Sequence, residues 1–171
     1  CHDKKKFELI AFSFGPDTQD QWRQRVFLCF DQFVDVRLKS DQEISLLARK
    51  MEIDIAIDLK GYTRNCRPNI FAEGCAPIQV SYLGYPGTMA VDYMDYLIAD
   101  RMLIPEEKQH NYSEKIVYMP NSYPVNISKR IVSEAIQNSG RNGHLHDRGN
   151  GETRITIFLD SILLPKTTKK L

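Results

Sequence analysis

The chain has 171 residues, 42% of them hydrophobic, enough to bury a core in one domain or in one lobe of a larger enzyme. Its net charge is +1, which gives no electrostatic case for nucleic acid or a membrane surface as partner. No apolar run approaches the roughly 20 residues of a spanning helix.

The opening CHDKKKFELIAFSFG is basic and then apolar, as a signal peptide would be. Its apolar run is short and alternating, carries Glu8 and lacks a small-residue cleavage site, so it reads as a strand over 6–15, stopped by Gly15-Pro16. The first residue is Cys1 rather than methionine, and the expectation is that the chain starts inside a larger protein. Trp22, Val26, Cys29, Phe30 and Phe33 recur on one helical face, which predicts a helix over 18–32. Residues 33–37 read as a short strand. Ser40 followed by Glu43 forms a capping box, and Ile44, Leu47, Ala48 and Met51 form the buried face of the helix that starts there. IDIAIDL over 53–59 alternates, with its apolar residues at odd positions facing one way, and stops at Gly61.

A helical turn near 69–73 comes next, followed by strands over 77–83, 94–100 and 115–120. Strands alternating with helices at short spacing predict an α/β fold, a Rossmann-like parallel sheet with flanking helices. Ligands of such sheets bind outside the carboxyl ends of the strands. Two loops fall there, KGYTRNCR after 53–59 and GYPGTM after 77–83.

Composition changes near residue 125. Residues 126–171 hold eight Lys/Arg against four Asp/Glu, whereas the first 125 hold fifteen against eighteen. The expected division is a lobe over 1–125 and a linker or divergent tail over 126–171. NSGRNGHLHDRGNGETR in that tail is Gly-rich and aperiodic, and ITIFLDSILL reads as one further strand.

Gly84-Tyr85-Pro86-Gly87-Thr88 packs two glycines and a proline into one turn. Glycine permits close backbone approach and Pro86 holds Tyr85 extended, so the loop suits a sugar or phosphate; an ordinary tight turn is the plainer reading of the motif alone. Gly61-Tyr62-Thr63 is similar, with Tyr62 placed to stack on a ring or donate a hydrogen bond. Arg64 and Arg67 follow, either to meet an anion or to be solvated. Asp54, Asp58, Asp92, Asp95 and Asp100 read as caps, turns or edge residues rather than as general bases. His110 reads as a surface residue, and His144 and His146 form an H-x-H without a third ligand. Cys1, Cys29, Cys66 and Cys75 form no C-x-x-C pair and read as free thiols of a reducing cytoplasm. No dinucleotide fingerprint, P-loop lysine or nucleophile elbow is present.

The run IDIAIDLKGYTRNCRPNIFAEGCAPIQVSYLGYPGTMAVDYMDYLIAD resembles the catalytic region of O-linked N-acetylglucosamine transferases and their SPINDLY-like relatives. GYT, R…IFA, APIQV…LGYPGT, MDYLIAD and P…YSEKIVYMPNSY follow in the family's order, over about residues 3 to 130. The resemblance implies a GT-B glycosyltransferase, with this chain as most of its first lobe. It implies inverting transfer of N-acetylglucosamine from UDP-GlcNAc to a protein Ser or Thr hydroxyl, without cofactor or metal. Leu83, Gly84 and Pro86 carry over as sugar-pocket residues, and Tyr62 and Arg67 as residues lining the acceptor and sugar side of the cleft. Gly61, Thr63, Tyr85, Gly87 and Thr88 carry over as loop supports.

The family's histidine-bearing segment and tetratricopeptide repeats are expected before residue 1, and its nucleotide-gripping second lobe after residue 171. The resemblance fades after NSYPVNISKR, where a divergent linker or a frameshifted end is expected. The isolated chain is therefore expected to be inactive. The alternatives are a protein O-fucosyltransferase using GDP-fucose, and a truncated lobe that serves only as a binding module.

Overall fold

The computed structural model describes residues 3–18, 20–123 and 153–159. In chain order they form β1 (Phe7–Ser13), α1 (Gln21–Phe27), β2 (Gln32–Asp35), α2 (Asp41–Lys50), β3 (Ile55–Asp58), α3 (Asn69–Ala72), β4 (Ile78–Ser81), β5 (Tyr96–Ala99), a 3₁₀ turn over Glu106–Asn111, β6 (Lys115–Tyr118) and β7 (Thr153–Leu159). The seven strands make one sheet in the order β2-β1-β7-β3-β4-β5-β6, with every pairing parallel. The Rossmann-like parallel sheet read from the alternation of elements is thus the fold observed.

Local chemistry explains where the helices start and stop. The Ser40 hydroxyl accepts the Glu43 N–H at 3.2 Å, and the Glu43 carboxylate accepts the Ser40 N–H at 2.7 Å, so α2 carries both halves of its capping box. Ile44 and Ala48 of α2 are fully buried. Helix α1 is shorter than the 18–32 expected. The Asp20 carboxylate accepts the Arg23 N–H and starts it late. Asp31 ends it early, because its backbone N–H donates to the Leu9 carbonyl and its carboxylate accepts the Leu9 N–H. Those bonds draw the chain into register beside β1, so Cys29 lies in an exposed turn rather than on a helix face.

Strand β3 alternates as expected, with its odd-numbered apolar residues on one face. Its buried positions are Ala56 and Asp58, while the odd-numbered Ile55 and Ile57 are half-buried on the other face. The main core lies between the sheet and the helices α2 and α3, and holds Ile10, Phe12, Val36, Ile44, Ile70, Phe71 and Phe158.

The most consequential element is β7. It lies beyond the residue-125 boundary read from composition, yet it pairs with β1 through all seven of its residues and with β3 through four. Thr156 and Phe158 have no exposed surface. The Phe158 ring meets Phe12 at 5.4 Å and Phe71 at 4.8 Å, both edge-on. Residues 153–159 therefore belong to the same sheet as the first lobe. The strand read from ITIFLDSILL is present up to Leu159. The Gly-rich stretch with His144 and His146 lies outside the described residues.

Phe158→Ala should lower the unfolding free energy by about 3–5 kcal/mol, the usual cost of emptying a buried aromatic site. A urea melt reads this as a lower midpoint; an unchanged midpoint would mean that β7 is not part of the folded sheet.

Candidate functional site

The carboxyl edge of the sheet carries the two loops singled out in the sequence. Asp58, the last residue of β3, turns the first loop by accepting the N–H groups of Lys60 at 2.8 Å and Gly61 at 3.1 Å. Gly61 then takes φ +54°, a conformation glycine adopts without steric cost. The second loop leaves β4 through Leu83, which sits at φ +72°. A left-handed conformation costs a side-chain-bearing residue about 1–2 kcal/mol and holds only where its surroundings impose it.

The two loops interlock. A Cβ on Gly84 would lie 2.3 Å from the Leu59 carbonyl oxygen, so the backbones touch there and no side chain fits. A Cβ on Gly61 would lie 2.5 Å from the Cβ of Tyr85, and the Tyr85 ring also lies over Gly87. Tyr62 packs edge-on against Tyr85 at 5.8 Å, and its hydroxyl donates to the Met89 carbonyl at 3.0 Å.

Glu114, buried just before β6, clamps the far end of the second loop. Its carboxylate accepts the Thr88 hydroxyl at 2.7 Å and the Met89 N–H at 2.6 Å. The Thr88 oxygen in turn accepts the Ala90 N–H. Tyr112 donates to the Pro86 carbonyl at 3.4 Å.

The structure thus brings Gly61, Tyr62, Gly84, Tyr85, Gly87 and Thr88 into one unit, with Leu83 and Pro86 on its exposed surface. The Thr63 hydroxyl is buried there without a hydrogen-bond partner. Arg67 has partners at the start of α2. It pairs with Asp41 at the start of α2, donates to the Lys39 carbonyl at 2.7 Å and lies over the Phe14 ring. Its guanidinium ties the first loop to α2. Arg64 and His110 are exposed.

Asp54, Asp58, Asp95 and Asp100 serve as turn and strand-edge acceptors. Asp100 accepts the N–H groups of Met102, Leu103 and Tyr123, Asp95 accepts that of Gln79, and Asp54 that of Arg154. Glu114, Tyr112 and Tyr93 were not singled out in the sequence. A carboxylate between a turn and a strand carries no signal of its burial until the loop it clamps is seen. Tyr93 lies beside Tyr62, and burial, followed by its neighbour Tyr62, raises its phenol above the ordinary range.

An open cleft of about 300 Å³ lies between the second loop and the 3₁₀ turn, lined by Tyr85, Thr88, Lys108, Asn111 and Tyr112. The carboxylates nearest the loops, Asp58 and Glu114, already accept bonds from the loops themselves. Burial pushes the Cys75 thiol up to about 12, so it is no nucleophile at neutral pH. This edge presents shaped backbone and aromatic surface, and its two buried carboxylates are taken up by the loops themselves.

A parallel α/β sheet with a rigid double loop at its carboxyl edge is the architecture of a Rossmann-like ligand-binding lobe. The comparisons with known proteins say which. The chain belongs to the family described as Glycosyl transferase family 41, which matches residues 1–157.

It is 39% identical over 129 residues to an Arabidopsis thaliana protein named probable UDP-N-acetylglucosamine–peptide N-acetylglucosaminyltransferase SEC, covering 75% of this chain and 13% of that one. It is 31% identical over 167 residues to the Caenorhabditis elegans UDP-N-acetylglucosamine–peptide N-acetylglucosaminyltransferase, covering 97% and 14%. A Solanum lycopersicum SPINDLY protein is 27% identical over 125 residues, covering 71% and 13%. The solved structure of a Thermobaculum terrenum O-GlcNAc transferase mutant superposes with a TM-score of 0.63 at 24% identity, over 71% of this chain and 29% of that one, and shares the fold. The chain spans about one-seventh of the length of the curated relatives it matches. Among the described residues, no helix is long and apolar enough to cross a membrane.

Two outcomes test the site. Gly84→Ala should cost about 1–3 kcal/mol in a urea melt, the range for overpacking, because its methyl meets backbone rather than a movable side chain. Full stability in that variant would mean the loops do not touch. The second concerns pH. Burial raises the Asp58 carboxyl above the ordinary aspartate value, although the Lys60 and Gly61 N–H groups oppose the shift. A group raised in the folded state stabilises most below its unfolded value and loses that contribution as pH rises through the folded one. The stability of the parent chain relative to Asp58→Asn should therefore fall as pH rises from the ordinary aspartate value through the higher folded one. A difference that grew with pH would mean the native carboxylate is stabilised rather than penalised.

Proposed function

We propose that this chain is part of the first lobe of a protein O-GlcNAc transferase, and that its 83–88 loop holds the sugar of UDP-GlcNAc. The observation that carries the reading is the interlock of Gly84 against Leu59 and of Tyr85 against Gly61. It holds Leu83 at positive φ and leaves Tyr62, Leu83 and Pro86 exposed at the sheet edge. In a family 41 chain this is a preformed surface that a sugar ring can meet without reordering the loop.

The reaction in this reading is inverting transfer of N-acetylglucosamine to a protein Ser or Thr hydroxyl. This lobe supplies position for the donor sugar. Stabilisation of the departing diphosphate falls to a second lobe. No metal or cofactor enters the reading. Tetratricopeptide repeats and the second lobe belong to the longer protein that the reading assumes, and the relatives' much greater length supports it. A cytoplasmic location is part of the same reading, supported by the free thiols of Cys29, Cys66 and Cys75.

The test is a titration of the ¹⁵N-labelled chain with UDP-GlcNAc, UDP and GDP-fucose. The expected outcome is saturable shifts of the 83–88 amides with UDP-GlcNAc, weak because one lobe acts alone, with smaller shifts for UDP and none for GDP-fucose. Transfer to peptide should be absent. Shifts with GDP-fucose alone would move the reading to a fucosyltransferase. No shift with any donor would leave a non-catalytic module, and measurable turnover would overturn the assignment as a partial lobe.

A further inference from the structure

Tyr62 is the more exposed of the two aromatic rings in the interlocked loops, with 45% of its surface open. The sequence left it two roles, stacking on a ring or donating a hydrogen bond, and the geometry separates them. A tyrosine hydroxyl has one proton to give. In Tyr62 that proton goes to the Met89 carbonyl at 3.0 Å, 27 positions along the chain. The acceptor is itself fixed. Met89 is 1% exposed, and the buried Glu114 carboxylate accepts its N–H at 2.6 Å. Ala90 follows at φ +53°, and its N–H donates to the Thr88 hydroxyl oxygen at 3.0 Å. The backbone is thus held on both sides of the carbonyl that Tyr62 reaches.

Tyr93 meets the same hydroxyl. Its phenol is raised by burial first, then by the nearby Tyr62 and by a hydrogen bond with it. Because the Tyr62 proton is already given to Met89, Tyr93 is the donor in that bond and the Tyr62 oxygen the acceptor. The hydroxyl is therefore turned inward both as donor and as acceptor. A ligand that took its proton would leave the buried Met89 carbonyl without this partner, and such an exchange gains little. What stays available is the ring. It meets Tyr85 at 5.8 Å with the two planes 61° apart, so the rings do not stack on each other and the open surface of Tyr62 lies beside the 83–88 loop.

We infer that Tyr62 meets the donor's sugar through its ring face, and that its hydroxyl serves only to hold the ring in place. The inference rests on the reading of the 83–88 loop as the loop that holds the sugar, and it specifies the chemistry of that site. An aromatic ring is electrically negative on its face and positive at its edge. The C–H bonds on one face of a pyranose form an apolar, weakly positive surface that complements it. In N-acetylglucosamine the ring substituents beyond the anomeric carbon are equatorial, which leaves axial C–H bonds on both faces. Fucose carries an axial hydroxyl that interrupts one of them. A ring contact of this kind selects for the shape of the sugar face and asks for no hydrogen-bonding group from Tyr62.

The test titrates the whole chain, parent and variants, with UDP-GlcNAc. It reads the sugar ring protons, the 83–88 amides and the urea midpoint of the free protein. A proton held over an aromatic face moves upfield, so at least one pyranose ring proton should do so as the complex forms. Tyr62→Leu should abolish that shift and weaken binding by about fivefold to tenfold. Tyr62→Phe should keep the shift and weaken binding by only about twofold to threefold, through the lost tether. It should also lower the urea midpoint of the free chain, because the Met89 carbonyl loses its partner. The opposite pattern is an unchanged midpoint for Tyr62→Phe with binding as weak as in Tyr62→Leu. That would show the hydroxyl serving the ligand, and would overturn the inference. Shifts of the parent's 83–88 amides without an upfield sugar proton would also overturn it, while leaving the sugar-loop reading in place. No binding by the parent at all would remove both. If Tyr62→Leu does not fold, the parent's sugar protons and the Tyr62→Phe comparison decide.

Discussion

Strands β1 and β3 share no hydrogen bond; β7 lies between them, and its backbone joins the β1–β2 pair to β3 through β6. Every other feature depends on that bridge. Arg154, early in β7, fastens its amino end. Its guanidinium meets Glu8 of β1 and Glu52 before β3, and its backbone exchanges bonds with Asp54. Further along, Phe158 places its ring between Phe12 and Phe71 and so joins the sheet to α3. In a doubly wound sheet the strand at this position, next to the point where the order reverses, is first in sequence. Here it is the last of the described strands, while the six others keep the doubly wound arrangement around it.

The bridge matters for the site because both loops hang from strands it aligns. The register of β3 against β4 brings Leu59 under Gly84, and at that approach a methyl group is already too large. Glycine at 61 and 84 is explained by contact between the loops, so ligand contact is not needed to account for it. What the interlock exposes is the Tyr62 ring, Leu83 in a left-handed backbone conformation and Pro86. Glu114 and Asp58 act as clamps at the two ends of this unit, each using its carboxylate on neighbouring N–H or O–H groups. A loop held from both ends keeps its shape without a ligand, which lowers the ordering cost of binding.

Arg67 shows what the fold adds to a residue singled out by its segment. In sequence it follows the GYT loop, either to meet an anion or to be solvated, and the resemblance places it on the acceptor and sugar side of the cleft. In the fold, the start of α2 lies beside it, and Asp41 and the Lys39 carbonyl are its partners. The helix around Trp22 is shorter than its apolar spacing predicts for a related reason. The apolar spacing through Phe33 is genuine, but the two backbone-level bonds between Asp31 and Leu9 compete with helix propagation, and they exist only once β1 is in place.

By itself the sequence determined the alternation of strands and helices, the capping box at Ser40, the two loops at the carboxyl edge and the family to which they belong. Those features are written in local spacing and in short motifs, where each residue acts on neighbours a few positions away. Only the tertiary structure decided that residues 153–159 stand in the middle of the sheet and that Glu114 clamps Thr88 and Met89. Each of these joins residues 25 or more positions apart. Their energy comes from pairing and burial across that separation, which leaves no periodic trace in the chain.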